Sequence, residues 1–473
     1  MSWYNLAGQS GVKYNLRLLF VYKGLGVDKL KVRKEIDLCK RYNVPENISV
    51  RSCDGVYLVV AREHANWIVL ENEQQLQFFE LLQSYSLGEA LEVFSGEKKD
   101  AVAVVTQLEA KRFEAANIKP LGGDQPSIFI YLTSECNMQC PHCYMYAGKK
   151  KEGELSFHEI KTILAEYKKY GGKTVCFSGG EICMRPDIIQ IVQEASRLEY
   201  KIKLMTNGTL WTPELIATVA PLVDSVQISI DGYDEEENAR IRGRGNFQKA
   251  LDAVDGFFAK GTKVSVAITP LYDEELEQKA QKFGAFGRSL LEKYGQDNFT
   301  LLFSTNLLAG REITVSKEEN KKYEKIVTEI IYPLCYGEMT EEKKFIDFNK
   351  LSSRMNLCAY GNPYISSTGD VAFCSELVYT HPVANIRKDG FAKILELREK
   401  ARRLADVDNL MPCRECELKY ICGGGCRAAF FEELIQCDVD STDEGTHFER
   451  VCTQQDKEHF YRLMIQTNSE LFR

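Results

Sequence analysis

Three cysteines within eight residues, Cys136, Cys140 and Cys143, constrain this chain more than any other feature of its sequence. They belong to an uneven set. Of 16 cysteines in 473 residues, eight more lie between 358 and 452, and five are scattered: Cys39, Cys53, Cys176, Cys183 and Cys335. Disulfides are rarely kept in a reducing compartment, so dense cysteine groups in a chain without secretory features point to metal. The scattered five suit small buried thiols. The N-terminal stretch MSWYNLAGQSGVKYNL lacks the charged start and long apolar core of a signal peptide, and no apolar run approaches the ~18–20 residues of a membrane span. A cytoplasmic protein with no membrane partner is expected. The net charge of −8, from 60 basic and 68 acidic side chains, gives no support to non-specific nucleic-acid binding.

The length accommodates about three domains of ~100–200 residues, and three regions separate. In residues 1–120, β-like runs at 56–60 and 67–70 precede helical patterns at 73–85, 87–95 and 99–116, which predicts a small winged-helix-like domain. Residues 1–53 carry ten basic and four acidic side chains, whereas 54–120 carry six and eleven. The basic run could meet an acidic leader, but a solvated face is the simpler reading. The near balance over the whole region argues against DNA.

The second region, 127–335, alternates strand and helix. Its predicted strands are Ile128–Leu132, Thr174–Ser178, Ile202–Thr206, Ser225–Ile230, Val264–Thr269 and Thr300–Ser304, with helices at 157–169, 187–198, 247–259 and 276–292. The pattern predicts an α/β fold built on a parallel sheet, a partial (β/α)6 barrel. Functional residues of such barrels collect at the C-terminal ends of the strands. The third region, 336–473, holds half of the cysteines and few long periodic segments, as expected of a cysteine-rich iron–sulfur domain.

The triplet has the spacing C-x3-C-x2-C and follows the first barrel strand directly. Three thiolates on one loop can ligate three irons of a [4Fe–4S] cube and leave the fourth iron open to a ligand. Zinc would want a fourth protein ligand, and His142 is too close to Cys143 in sequence to serve comfortably.

In this setting the triplet resembles that of the radical S-adenosylmethionine superfamily. The resemblance implies that S-adenosylmethionine chelates the open iron and is cleaved to a 5′-deoxyadenosyl radical, with the cofactor supplying the chemistry. It implies further roles at successive strand ends. Tyr144 resembles the aromatic residue near the adenine. Gly179, Gly180 and Glu181 resemble the motif beside the methionine moiety, with Glu181 as acceptor for its ammonium group; the usual proline is replaced by Ile182, followed by Cys183. Asn207, which closes the third strand, is a cofactor contact by the same resemblance. Ser229 and Asp231 resemble the ribose-side contact. Arg242 resembles the partner of the cofactor's carboxylate, with Arg240 and Arg244 as alternatives.

The later cysteines, Cys358, Cys374, Cys413, Cys416, Cys422 and Cys426, with three glycines between the last two, resemble a SPASM extension. That resemblance implies two auxiliary [4Fe–4S] clusters and three clusters in all. Cys358, Cys374 and Cys426 are assigned to the first. Cys413, Cys416 and Cys422 are assigned to the second, completed by Cys452 or else Cys437. No cysteine lies between 358 and 374, so the first auxiliary cluster is left with an open iron, unless Cys335 or Cys437 fills it.

Residues 54–116 resemble the peptide-recognition element found in the small peptide chaperone of pyrroloquinoline quinone biosynthesis. Such elements take a leader segment as an added strand. The combined expectation is a peptide maturase that forms a thioether between a cysteine sulfur and a carbon. Its partners would be a precursor peptide and a reductant such as a flavodoxin or ferredoxin. Carbon–carbon or carbon–oxygen crosslinking, formylglycine formation and non-catalytic electron transfer are the alternatives. The sequence names no catalytic acid or base.

Overall fold

A computed structural model of the chain describes residues 15–24, 27–116, 118, 127–337, 360–428, 448–449 and 452–472. Cys358 and Cys437 lie outside the described residues. The chain divides into two compact units, one of residues 1–122, 340–358 and 403–473, the other of residues 123–339 and 359–402. The cysteine-rich third is therefore shared. Its first part belongs with the central region and its second with the N-terminal region.

The first unit begins with an antiparallel ribbon, β1 (Asn15–Gly24) and β2 (Val27–Asp37), which the sequence reading did not anticipate. Its register sets Leu16, Phe20 and Tyr22 opposite Ile36, Val32 and Leu30, so a period-two pattern was present beneath the basic charge. A three-stranded antiparallel sheet follows, in the order β3 (Ile48–Cys53), β4 (Val56–Ala61) and β5 (Asn66–Leu70). Then come α1 (Glu73–Ser84), α2 (Leu87–Val93) and α3 (Lys98–Ala110). The Asn72 side chain caps α1, and Ser86 and Glu89 close a capping box on α2. Helix α3 stops short of the expected residue 116. Arg112 turns to a left-handed φ of 48°, and Asn66 Nδ2 donates to the carbonyls of Lys111 and Arg112 at 3.0 and 3.3 Å.

Both faces of this sheet are covered, which explains the almost unbroken apolar runs of β4 and β5. Val59, Ala61, Ile68 and Leu70 pack on Phe78, Phe79, Val104 and Leu108 of the helices. Leu58, Val60, Trp67 and Val69 pack on Leu418 and Ile421 and on Tyr461 and Met464 of the C-terminal helix Gln454–Phe472. Trp67 Nε1 donates to Met464 O at 3.0 Å.

The second unit carries six strands that are all parallel and adjacent in chain order: β6 (Ile128–Tyr131), β7 (Thr174–Ser178), β8 (Lys201–Thr206), β9 (Ser225–Ser229), β10 (Lys263–Ile268) and β11 (Phe299–Phe303). Each lies within one residue of its predicted bounds at either end. The helices between them are α4 (Phe157–Lys169), α5 (Ile188–Arg197), α6 (Pro213–Val219), α7 (Glu235–Arg242), α8 (Phe247–Ala259) and α9 (Leu276–Tyr294). Helices α6 and α7 were not expected. They are short, and their signals are caps: Thr212 before Pro213, and Asp234 before three glutamates. Ile130, Phe177, Leu204, Ile228 and Val266 lie in one buried core.

The segment before Cys374 extends this sheet. Strand β12 (Tyr364–Ile365) pairs in parallel with β6, and β13 (Asp370–Ala372) and β14 (Ala384–Asn385) continue it antiparallel. The architecture is a partial barrel, as expected. No helix among the described residues is long and apolar enough to cross a membrane.

Candidate cofactor and cluster site

The cysteine loop leaves β6 and is closed at its neck. Cys136 N–H donates to Gly148 O, and Gly148 N–H to Ser134 O, both at 2.9 Å. Glu154 draws the neck back by accepting from Ser134 N–H at 2.6 Å and Thr133 Oγ1 at 2.9 Å. Burial works to raise the Glu154 pKa, but these hydrogen bonds outweigh it and leave the carboxyl below its ordinary range. The three thiols are free and half-buried. Burial raises the Cys136 thiol to about 11, with Glu181, Cys140 and Cys143 adding to the rise. Burial also raises Cys140, while Arg242 and Arg311 pull it down. Such thiols stay protonated until a metal takes the proton's place.

Among the described residues, no three His, Cys, Asp or Glu side chains converge tightly enough to share one metal ion. A cube that takes one thiolate per iron does not ask for that convergence. His142, the residue considered for a zinc site, has its Nε2 3.4 Å from Asp231 Oδ2, and burial lowers its pKa.

The Gly-Gly-Glu motif ends β7. Gly180 N–H donates to Thr133 O and Glu181 N–H to Glu135 O, both at 2.8 Å. A Cβ on Gly179 would stand 2.6 Å from Thr133 O, and one on Gly180 2.3 Å from Glu135 O. The glycines therefore admit the neck of the cysteine loop itself. Glu181 is fully buried and accepts from Thr206 Oγ1 at 2.7 Å, Asn207 N–H at 2.7 Å and Cys183 N–H at 3.1 Å. Burial raises its pKa; those bonds, and one from the Cys183 thiol, oppose the rise. Four donors from the protein meet the ordinary capacity of a carboxylate. Cys183, unexplained by the sequence, is thus a protonated donor to Glu181. Asn207 continues the chain of contacts, with Nδ2 donating to Asn137 Oδ1 at 2.8 Å. Glu181 and Asn207 together tie the ends of β7 and β8 to the cysteine loop.

Beyond β9, Asp231 is 1% exposed and faces Arg242 at the end of α7, Oδ2 to Nε 2.6 Å. Asp231 Oδ1 accepts from Thr269 N–H at 2.8 Å. Although the pair is at ion-pair distance, Oδ2 and Nε keep unfilled hydrogen-bonding capacity in a buried place, which suits a polar ligand. Burial of Arg242 opposes its charge, but Asp231, Cys140 and Cys136 outweigh that and raise its pKa. Arg240 is committed elsewhere, to Glu237 at 2.7 Å and Asp273 at 2.6 Å. Ser229 ends β9. Tyr144 is half-buried with its hydroxyl 3.3 Å from that of Tyr131, and desolvation of that hydroxyl raises its pKa to about 12. Free thiols, and beside them a buried ion pair with hydrogen-bonding capacity to spare, fit a cluster with S-adenosylmethionine.

Cys374 lies in this unit, two residues beyond the end of β13. The other unit holds Cys413, Cys416, Cys422, Cys426 and Cys452. There Cys416 N–H donates to Cys413 O at 2.9 Å, and Cys422 N–H to Leu418 O at 2.7 Å. Arg427, missed by the sequence reading, is fully buried and binds the carbonyls of Ala405, Gly423 and Gly425. Arg311 and Glu154 were missed as well. Their only signal was a charged residue in a strand-end loop.

The profile of the Radical SAM superfamily matches residues 130–283, and that of the SPASM iron–sulfur cluster-binding domain matches residues 358–417. The mycofactocin maturase MftC of Mycobacterium tuberculosis is 31% identical over 326 residues, 66% of this chain and 80% of that protein. An AdoMet-dependent heme synthase of Methanosarcina barkeri is 28% identical over 323 residues, 63% of this chain and 89% of that protein. The solved structure of anSMEcpe with bound AdoMet has 17% identity and a TM-score of 0.54, covering 72% of this chain and 95% of that one, a likeness of fold. The chain is an enzyme of the radical S-adenosylmethionine superfamily, of the kind that carries a SPASM domain.

Proposed function

We propose that this enzyme matures a precursor peptide and that its product is a thioether crosslink between a cysteine sulfur and a carbon. The observation that carries the peptide reading is a contrast between the two edges of the sheet β3–β4–β5. The β5 edge is sealed by a side chain: Val69 N–H donates to Gln107 Oε1 at 2.9 Å, and Gln107 Nε2 to Val69 O at 2.6 Å. The β3 edge has no such cover among the described residues, and Val50 on it is 44% exposed. An open edge beside a sealed one suits an added strand, the mode in which main-chain bonds hold a leader. The relatives named maturases support the same reading.

When bound, the cluster and S-adenosylmethionine supply a 5′-deoxyadenosyl radical that removes a hydrogen atom from the substrate. Cys136, Cys140 and Cys143 would hold that cluster. Arg242 would meet the cofactor's carboxylate, Ser229 and Asp231 its ribose side, Tyr144 its adenine, and Gly179 and Gly180 its methionine end. Glu181 and Asn207 would act by fixing those loops. Two auxiliary clusters on the later cysteines, and a flavodoxin- or ferredoxin-like reductant, complete the reading.

The thioether rests on an open iron in the first auxiliary cluster. The position of Cys335, an alternative fourth ligand, supports leaving that iron open. Cys335 is 3% exposed, with its thiol 4.0 Å from Phe283 O, and a Cβ on Gly287 would stand 2.4 Å from its sulfur. It is a core thiol packed against α9. A second reading, a tetrapyrrole substrate, draws on the heme synthase relative.

The test is anaerobic incubation of the reconstituted, reduced enzyme with S-adenosylmethionine and its precursor peptide. A product lighter by two hydrogens, with one cysteine no longer alkylated, is expected. A precursor without core cysteines, or turnover of a tetrapyrrole in its place, would refute the thioether.

A further inference from the structure

The loop after β11 returns to the cysteine loop. Arg311 Nη1 donates to Cys140 O at 3.3 Å, and Nη2 donates to Ala147 O. Glu312 N–H donates to Pro141 O at 2.9 Å, and Tyr146 OH to Gly310 O at 3.2 Å. A Cβ on Gly310 would fall 2.5 Å from the carbonyl carbon of His142, so the approach is as close as backbone permits. Residues 310–312 thus grip both limbs of the loop that carries the three cysteines. They lie beyond the stretch matched by the superfamily profile, which ends at 283.

The loop has need of such a brace. Its internal backbone bonds are Cys143 N–H to Cys140 O and Tyr146 N–H to Cys143 O, both at 3.2 Å. No strand or helix holds residues 137–147. Thiolates that keep one geometry through gain and loss of an electron need support from their surroundings. The planar fork of a guanidinium can bridge two carbonyls, which an ammonium cannot do in fixed geometry. A cation beside a thiolate ligand also favours the more negative, reduced form of a cluster, because charge and hydrogen bonding near the sulfurs set its potential.

We propose that Arg311 is a positioning residue for the radical-generating cluster, holding the Cys136–Cys143 loop in ligating geometry and placing a positive charge beside Cys140. The inference rests on the assignment of the cluster to those three cysteines.

The test compares the full-length wild type with Arg311→Gln and Arg311→Lys. Hydrogen exchange of residues 136–148 is read in the metal-free protein. The midpoint potential is read, after anaerobic reconstitution, for the cluster whose electron paramagnetic resonance signal changes on adding S-adenosylmethionine. Arg311→Gln should exchange at least tenfold faster in 136–148, with β7–β10 unchanged, and should shift the potential to a more negative value. Arg311→Lys should exchange faster yet keep a potential near wild type. Wild-type exchange and potential in Arg311→Gln would overturn the proposal. Should Arg311→Gln not fold, Arg311→Lys decides: faster local exchange supports the brace, and wild-type exchange overturns it. A wild type with no S-adenosylmethionine-sensitive cluster would overturn the cluster assignment itself, and the role of Arg311 in setting a potential with it.

Discussion

Asp231 Oδ2 stands 2.6 Å from Arg242 Nε, and the carboxylate is 1% exposed. The pair joins the end of β9 to the end of α7 and sets a fixed cation among the cysteines. Breaking one half of a buried pair leaves the other charge uncompensated, at a cost of about 3–5 kcal/mol. Asp231→Asn is therefore expected to lower the thermal midpoint of the metal-free chain. Arg242→Lys, which keeps the charge, should lower it less while weakening S-adenosylmethionine binding. Calorimetry and a binding isotherm check the two effects separately.

The carboxylate of Glu181 accepts donors only. Glu181→Gln would set an amide N–H against at least one of Thr206, Asn207 N–H and Cys183. An unsatisfied buried group costs about 1–3 kcal/mol. A loss of that size in denaturant unfolding is expected, with slack in the cysteine loop. An unchanged midpoint would contradict the reading of Glu181 as a tie between strand ends.

The six barrel strands were legible because each is a β-branched or aromatic run bounded by turn residues, and because helical patterns alternate with them. The triplet, the Gly-Gly-Glu and the Asp231–Arg242 elements were legible as residues. Their partnerships were not. Glu181 and Asn207 also engage protein groups, and Gly179 and Gly180 lie against the backbone of the cysteine loop, contacts that spacing alone does not reveal. Arg311 meets Ala147 across 164 positions of sequence, a closeness that only closure of the barrel creates. The β1–β2 ribbon was hidden by charge, since its lysines and arginines masked the alternation. Cys358 and Cys437 lie outside the described residues, so the auxiliary ligand sets stand as the resemblance left them.

Glu159 closes the capping box of α4 and also binds Arg387, Oε1 to Nε 2.6 Å. The Arg387 hydrogen bond and that of the Ser156 backbone hold its pKa down at about 2. A depressed folded-state value means that the unfolded chain binds the proton more readily. The contribution is present above about pH 4.5 and is lost as pH falls toward about 2. Because both groups are partly exposed, the effect is modest and screened by salt. Arg387→Gln should flatten the acid limb of the stability profile, as followed by circular dichroism between pH 5 and pH 2.

Trp67 is 4% exposed and joins the N-terminal sheet to the C-terminal helix. Trp67→Ala should cost about 3–5 kcal/mol. If an auxiliary cluster sits on Cys413, Cys416 and Cys422, the same change should release its iron while the barrel still binds S-adenosylmethionine. Iron analysis beside a binding assay reads both.

If a leader segment adds to the open edge of β3, its main-chain bonds will protect Ile48–Cys53 from hydrogen exchange. Slower exchange there on adding the precursor peptide, with β5 unchanged, is expected. Protection at β5 alone would place the peptide on the wrong edge.

The loop Cys136–Cys143 is the proposed seat of cofactor cleavage. Anaerobic, reduced enzyme is incubated with S-adenosylmethionine and 5′-deoxyadenosine is measured for the wild type, Cys140→Ala and Cys413→Ala. The prediction is product from the wild type, a reduced amount from Cys413→Ala and none from Cys140→Ala. Undiminished 5′-deoxyadenosine from Cys140→Ala would contradict it.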